Sequence, residues 1–320
     1  MSEPGGIECV CLTGPTACGK TDLALALADA VPLDIVSMDS ALVYRGLDIG
    51  TAKPPPEVRR AVPHHLIDIL EPTESYSAGR FARDAARLVS EIRARGRLPL
   101  LVGGTLLYLK AFRDGLSVLP RADARIRAEL EREAERHGWA ALHERLRQVD
   151  PQAAARIAPS DRQRIQRALE VHALAQRPIT ELQRGRANPE RRVLSIALVP
   201  PSRSELAARI ERRFDAMVAA GFVKEVERLR ARGDLTPHLP AMRAVGYRQI
   251  WSFLDGRCSW NEAREKALAA TRQYAKRQMT WLRGDARIET WPAFAAGLRD
   301  RLVERISKEC LIAKNSRRLC

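Results

Sequence analysis

A chain of 320 residues, 45% of them hydrophobic, is long enough for one large domain or two smaller ones around a sizeable core. Its formal net charge of +15 suggests a polyanionic partner, and no apolar run approaches the length of a membrane span, which argues against a membrane-embedded class. The excess is one-sided: residues 1–115 hold 13 basic and 14 acidic residues, leaving 41 and 25 in residues 116–320, a net of +16. An enzyme acting on a small molecule has no need of such a half, whereas one that binds RNA does.

The six cysteines, Cys9, Cys11, Cys18, Cys258, Cys310 and Cys320, form no C-x-x-C pair and have no histidine cluster beside them, so free thiols in a reducing cytosol are expected rather than a zinc site. Met1 to Gly6 lacks the basic start and apolar core of a signal peptide. The expectation is a soluble, cytoplasmic protein.

In chain order, the apolar run Ile7–Leu12 leads into Gly14-Pro15-Thr16-Ala17-Cys18-Gly19-Lys20-Thr21, and a helix-forming run follows from Asp22 to Ala30. This is G-x-x-x-x-G-K-[ST] in its strand–loop–helix context, a phosphate-binding loop. Backbone N–H groups wrap an anion, the helix N-terminus adds partial positive charge, and Lys20 supplies a mobile point charge. The Thr21 hydroxyl is placed to ligate Mg²⁺. Leu33–Met38 reads as a second strand that delivers Asp39-Ser40 to the sheet edge where ligands gather. Asp39 is then either an outer-sphere partner of Mg²⁺ or a general base. His64–Leu70 reads as a short strand, on which adjacent histidines face opposite ways and so do not share a metal. Ser77–Arg95 carries Phe81, Ala85, Leu88 and Ile92 at helical spacing, with Gly96 as a C-terminal stop. Leu98–Val102 is a strand covered on both faces and ends in Gly103-Gly104-Thr105. Strand–helix–strand alternation of this kind implies an α/β fold with a doubly wound parallel sheet.

From about 118 to 190 the text is charged, helical and almost strand-free, with helices expected over 123–136 and 139–148. Ser160 to Gln163 fits a capping box with Ser160 at the N-cap. An inserted helical subdomain is expected here, between a first core segment (1–117) and its completion (191–298). Val193–Val199 returns to the sheet. Ser202 to Glu205 opens a helix with Leu206, Ile210, Phe214 and Met217 in register and Arg213 just off that stripe. Thr271–Arg283 contains no acidic residue, so its cations suit phosphates and its aromatics suit unpaired bases. Arg287–Trp291 reads as a last strand, and residues 299–320 as a flexible tail without a role.

The segment Asp39-Ser40-Ala41-Leu42-Val43-Tyr44-Arg45-Gly46-Leu47-Asp48-Ile49-Gly50-Thr51-Ala52-Lys53-Pro54, following GPTACGKT, resembles the bacterial tRNA dimethylallyltransferase family, and the likeness runs to about Pro292. The resemblance implies a phosphate loop that holds dimethylallyl diphosphate rather than ATP. It implies transfer of the prenyl group to the exocyclic amino group of the adenine 3′ to the anticodon (position 37) in tRNA, with Mg²⁺ as cofactor. A monomer suffices for this scheme. By resemblance the diphosphate sits on Gly14 through Thr21, with Asp39, Thr105 and Arg213 catalytic. The tRNA contacts would be Asp39, Ser40, Ala41, Leu42, Thr105, Arg127, Gln163, Arg164, Ile165, Gln166 and Arg167. They would continue through Arg243, Ala244, Val245, Gly246, Tyr247 and Arg248 to Lys276, Arg277, Gln278, Met279, Thr280, Trp281, Leu282 and Arg283. Two residues keep a second reading: Thr105 as a helix cap and Arg213 as a surface cation. Cys18 departs from the serine usual in the family, which implies weaker ligand contacts at most. The rivals are a nucleotide-dependent kinase and a non-catalytic RNA-binding ATPase switch, since a phosphate loop alone does not separate ATP from a prenyl diphosphate.

Overall fold

The computed structural model describes residues 6–183 and 191–316; residues 184–190 of the expected insert and 317–320 of the expected tail lie outside it. The chain divides into two compact units, 1–113 with 191–320, and 114–190.

The first unit is built on a parallel sheet. Strand β1 (Cys9–Thr13) alternates faces at period two, with Val10 and Leu12 in one core layer and Cys9 and Cys11 in the other. It feeds the phosphate loop and α1 (Lys20–Ala28), and β2 (Leu33–Ser37) follows. After α2 (Pro56–Ala61) comes β3, which spans His64–His65 alone rather than the expected run to Leu70. The reason is local: Leu66 and Asp68 have φ of 62° and 55°, left-handed turns that no strand contains. His64 Nδ1 pairs with the Val62 carbonyl and His65 Nε2 with Asp34, so the two rings part as expected. Helix α3 (Ala78–Ala94) is capped by the Ser77 hydroxyl. It ends in paired bonds from Gly96 N–H to Arg93 O and Arg97 N–H to Ile92 O, which Gly96 permits with φ 71°. Strand β4 (Leu98–Val102) and helix α4 (Leu106–Asp114) complete the first half.

The second unit holds α5 (Ala124–Val149), α6 (Pro151–Arg156), α7 (Arg162–Ala175) and α8 (Ile179–Leu182). Gly138, with φ 80° and ψ 157°, bends α5 between the two stretches read as separate helices. The cap of α7 is Asp161, which accepts from Arg164 N–H; Ser160 does not cap, because the adjacent carboxylate is a stronger acceptor and one residue closer. Leu130, Leu142, Leu146, Ile165 and Leu169 form a core of its own.

The chain then returns through β5 (Val193–Val199), α9 (Arg203–Ala219), α10 (Phe222–Ala231), α11 (Tyr247–Leu254), α12 (Trp260–Arg283) and β6 (Ile288–Pro292). Residues expected to fray instead form α13 (Leu298–Ser316), because Leu302 and Ile306 recur at helical spacing and bury in the core. The strand order is β3-β2-β4-β1-β5-β6, and every pairing is parallel. The connection leaving β1 runs one way and that leaving β5 the other. Ligands bind at such a reversal, outside the carboxyl ends of the strands. The phosphate loop, Asp39 and Gly103-Gly104-Thr105 all stand at that edge.

Candidate active site

The loop's shape follows from its residues. Gly14 has φ 138°, and a Cβ there would fall 2.4 Å from the Leu198 carbonyl of β5, so only glycine fits. Ala17 holds φ 64° and Gly19, at the N-cap of α1, φ 73°. Lys20 Nζ donates to the Gly14 and Pro15 carbonyls at 3.0 and 2.7 Å. Burial lowers its pKa to about 8, and the nearby Arg213 adds to this while Asp39 opposes it. The Cys18 side chain belongs to the core beneath the loop, and burial raises its thiol to about 11.

Asp39 lies just past the end of β2, after Met38. Its Oδ1 accepts from Ala41 N–H at 2.8 Å, which turns the chain and holds the carboxylate at the sheet edge. The Thr105 Oγ1 accepts from Ser40 N–H at 3.2 Å, so this hydroxyl braces the Asp39 turn instead of capping its own helix. Thr105 sits close because Gly103 does: a Cβ at Gly103 would lie 2.0 Å from the Met38 carbonyl.

A cavity of about 1350 Å³ opens from the phosphate loop past Asp39, Arg45, Val58 and Arg213. A second, of about 370 Å³, is lined by Ser40, Ala41, Arg243, Gly246 and Arg277. Thr16, Ala17, Asp39, Arg213 and Tyr274 line both. The first cavity thus carries the phosphate motif and the second carries residues expected at RNA, and Asp39 stands on their common wall. Arg213 donates to the Thr51 carbonyl at 3.4 Å. It lines both cavities, and desolvation lowers its pKa while Asp39 and Asp22 pull the other way. Tyr274, one of the aromatics of the acid-free stretch expected to suit unpaired bases, has its phenol raised to about 12 by burial and then by Asp39.

The segment between Asp39 and Pro54 is pinned from below. Glu225 of α10, buried, accepts from the N–H groups of Asp48, Ile49 and Gly50 and from the Tyr247 hydroxyl. Lys53, its side chain 2% exposed, donates to the Tyr44 carbonyl, Asp48 and Asp68. Sequence reasoning missed Glu225, because nothing in the order of residues announces partners 175 to 177 positions away.

Several residues expected at RNA have other work. Tyr247 is fully buried, Ile165 and Leu282 lie in cores, and their side chains offer no surface to a nucleic acid. Gln278 is buried as well: its Oε1 accepts from Thr16 N–H at 3.1 Å and its Nε2 donates to the Gly104 carbonyl at 2.9 Å, which ties the phosphate loop to the end of β4. Arg127 and Arg167 both pair with the buried Glu170. Gln166 bonds the Arg127 carbonyl and Glu131. Ala41, Leu42, Ala244, Val245 and Met279 are half-buried. Ser40, Gln163, Arg164, Arg243, Arg248, Lys276, Arg277, Thr280, Trp281 and Arg283 are exposed, and Lys110 Nζ lies 5.9 Å from the Trp281 ring centroid.

Among the described residues no group of three or more His, Cys, Asp or Glu could hold a metal. Donors that fit Mg²⁺ on the larger cavity are the exposed Thr21 hydroxyl, the Ser37 hydroxyl, which is buried and has no partner, and the carboxylates of Asp22 and Asp39, directly or through water. So small a set suits an ion that keeps waters and takes its remaining ligands from a substrate's phosphates.

The family profile described as IPP transferase matches residues 42–285. A tRNA dimethylallyltransferase of Bordetella petrii is 55% identical over 304 residues, covering 93% of this chain and 96% of its own. One from Halorhodospira halophila is 58% identical over 277 residues, covering 86% and 89%. The crystal structure of a tRNA isopentenylpyrophosphate transferase from Bacillus halodurans superposes with a TM-score of 0.70 at 37% identity, covering 97% and 98%. A eukaryotic dimethylallyltransferase acting on tRNA shares the fold, with a TM-score of 0.76 at 24% identity, covering 93% of this chain and 77% of its own. With three quarters of its length inside the family profile and relatives above half identity across nearly all of it, the chain belongs to the IPP transferase family.

Proposed function

We propose that the protein transfers a dimethylallyl group from dimethylallyl diphosphate to the exocyclic amino group of adenine 37 in tRNA, releasing diphosphate. The observation that carries this reading is the shared wall: Asp39 and Arg213 face both the phosphate-loop cavity and the cavity lined by Arg243, Gly246 and Arg277. A small-molecule kinase needs no acceptor opening lined by cations, whereas an enzyme with an RNA acceptor does.

An adenine amino group is a weak nucleophile because its lone pair is delocalised into the ring. Cleavage of the allylic C–O bond compensates by developing positive charge at the carbon. The negative charge that appears on the departing diphosphate is met by the loop N–H groups, the α1 N-terminus, Lys20 and Arg213. Mg²⁺, held by Thr21 and with Ser37 within the same cavity, would supply further charge to the diphosphate. Asp39 takes the amino proton as the C–N bond forms, with Thr105 and the Ala41 N–H fixing its turn. The target base must leave its stack to reach the smaller cavity. Phosphate contacts fall to the exposed cations Lys276, Arg277 and Arg283, and Arg164 of α7 is a further exposed cation. Such an enzyme works where tRNA and reduced thiols are found, in the cytoplasm, and a monomer suffices.

The test is pyrophosphate release by the pure protein with Mg²⁺. Release that requires both dimethylallyl diphosphate and an anticodon stem-loop is expected. Release from ATP with the RNA unaltered would contradict the proposal.

A further inference from the structure

Besides Gln278, a second side chain on the wall of the larger cavity is bonded to the phosphate loop. Arg209 lies one turn before Arg213 on α9, and its Nε donates to the Ala17 carbonyl at 3.1 Å. Its guanidinium lies over the Phe294 ring, 3.7 Å from the centroid. That ring in turn reaches the loop: a Cβ on Gly19 would meet it at 3.3 Å. Phe294 is held in a left-handed conformation, φ 67°, just after Ala293 N–H bonds the Val199 carbonyl at the end of β5. Two non-glycine residues in that conformation, Ala17 and Phe294, therefore meet through one arginine. Each costs on the order of 1 kcal/mol and persists only where neighbours over-determine it.

The peptide plane says what the contact does. In a trans peptide the carbonyl of one residue and the N–H of the next point in opposite directions. Fixing the Ala17 carbonyl on Arg209 thus fixes the Cys18 N–H away from Arg209, and a flip of that peptide would reverse a donor at the crest of the anion-binding loop. We propose that Arg209, seated on the Phe294 ring, is a positioning residue that sets the phosphate loop for the diphosphate. The role needs a planar group that stacks and donates at once, which lysine does not provide. It rests on the transferase reading for the identity of the diphosphate.

The experiment compares Arg209→Lys, Phe294→Ala and Phe294→Trp with the unaltered protein. It reads KM for dimethylallyl diphosphate, KM for an anticodon stem-loop, and calorimetric binding of inorganic pyrophosphate with Mg²⁺. Arg209→Lys and Phe294→Ala should each weaken pyrophosphate and raise the dimethylallyl diphosphate KM about tenfold, the scale on which supporting residues act, with the RNA KM within about twofold. Phe294→Trp should stay close to the unaltered protein. Full pyrophosphate affinity in Arg209→Lys would show that charge alone suffices and overturn the proposal. So would unchanged affinity in Phe294→Ala, or an RNA KM that rises in step. Because pyrophosphate binding needs no turnover, an unaltered protein that binds it yet alkylates no RNA contradicts the transferase reading and leaves the brace to be judged on the affinities.

Discussion

At the scale of single residues, two side chains carry opposite lessons. Asp39 is held by one backbone N–H at a cavity wall, where a carboxylate can accept a proton from a bound base. Asp39→Asn keeps the shape and removes the basicity, so kcat should fall about 10²–10⁴-fold. The stem-loop dissociation constant should stay within about twofold, and an equal loss in both would remove Asp39 from the role of base. Tyr247 belongs to an RNA-binding stretch by resemblance, yet it is fully buried with its hydroxyl on Glu225 at 2.5 Å. Tyr247→Phe should cost about 1.5–3 kcal/mol in urea denaturation, the range for a bond to a charged group, with RNA affinity unchanged. Weaker RNA binding at full stability would restore it to the RNA surface.

At the scale of elements, α5 and α7 show that helix cations can be tied up in ion pairs, while α12 keeps its cations on the surface. Arg127 and Arg167 converge on Glu170, which is buried in the helical unit. Burial alone would raise that carboxyl, but hydrogen bonds from Arg127, Arg167 and the Asp123 N–H outweigh it and hold its pKa below the ordinary 4.5. A depressed carboxylate adds stability above its unfolded pKa and loses it as the pH falls through the folded one. Hydrogen-exchange protection across 124–175 should therefore weaken in acid, beginning near pH 4.5. Glu170→Gln should lower it by about 1–3 kcal/mol at pH 7 and flatten the acid limb. A mutant with the unaltered acid profile would contradict this. On α12 the two faces divide the work: Gln278 turns inward to the phosphate loop, while Lys276 and Arg277 stay exposed. Replacing both cations by alanine should reduce the slope of log affinity for the stem-loop against log salt by about two. An unchanged slope would place the RNA elsewhere.

At the scale of the molecule, the sequence was most legible where chemistry and local structure coincide. The phosphate loop, the strand that ends in Asp39 and the glycine pair before Thr105 are all local signals, and together they imply the parallel sheet. Less legible was anything set by distant packing. Glu225 beneath the Asp48–Gly50 turn and Arg209 beside Ala17 are joined to their partners across the fold, and no periodicity marks them. The same limit explains α13, whose Leu302 and Ile306 looked like parts of a charged tail until the core supplied a surface for them. It also explains β3, where left-handed turns at Leu66 and Asp68 cut short an apolar run. Charge asymmetry pointed to RNA, but it could not tell exposed cations such as Lys276 from spent ones such as Arg167.

The central claim is that one cavity wall joins a prenyl diphosphate to an adenine. Its most direct test is the mass and fragmentation of an anticodon stem-loop after incubation with the protein, Mg²⁺ and dimethylallyl diphosphate, with ATP in a parallel reaction. The account predicts one added five-carbon unit on the adenine 3′ to the anticodon, in the first reaction alone. An unmodified stem-loop, or a prenyl group on any other base, would contradict it.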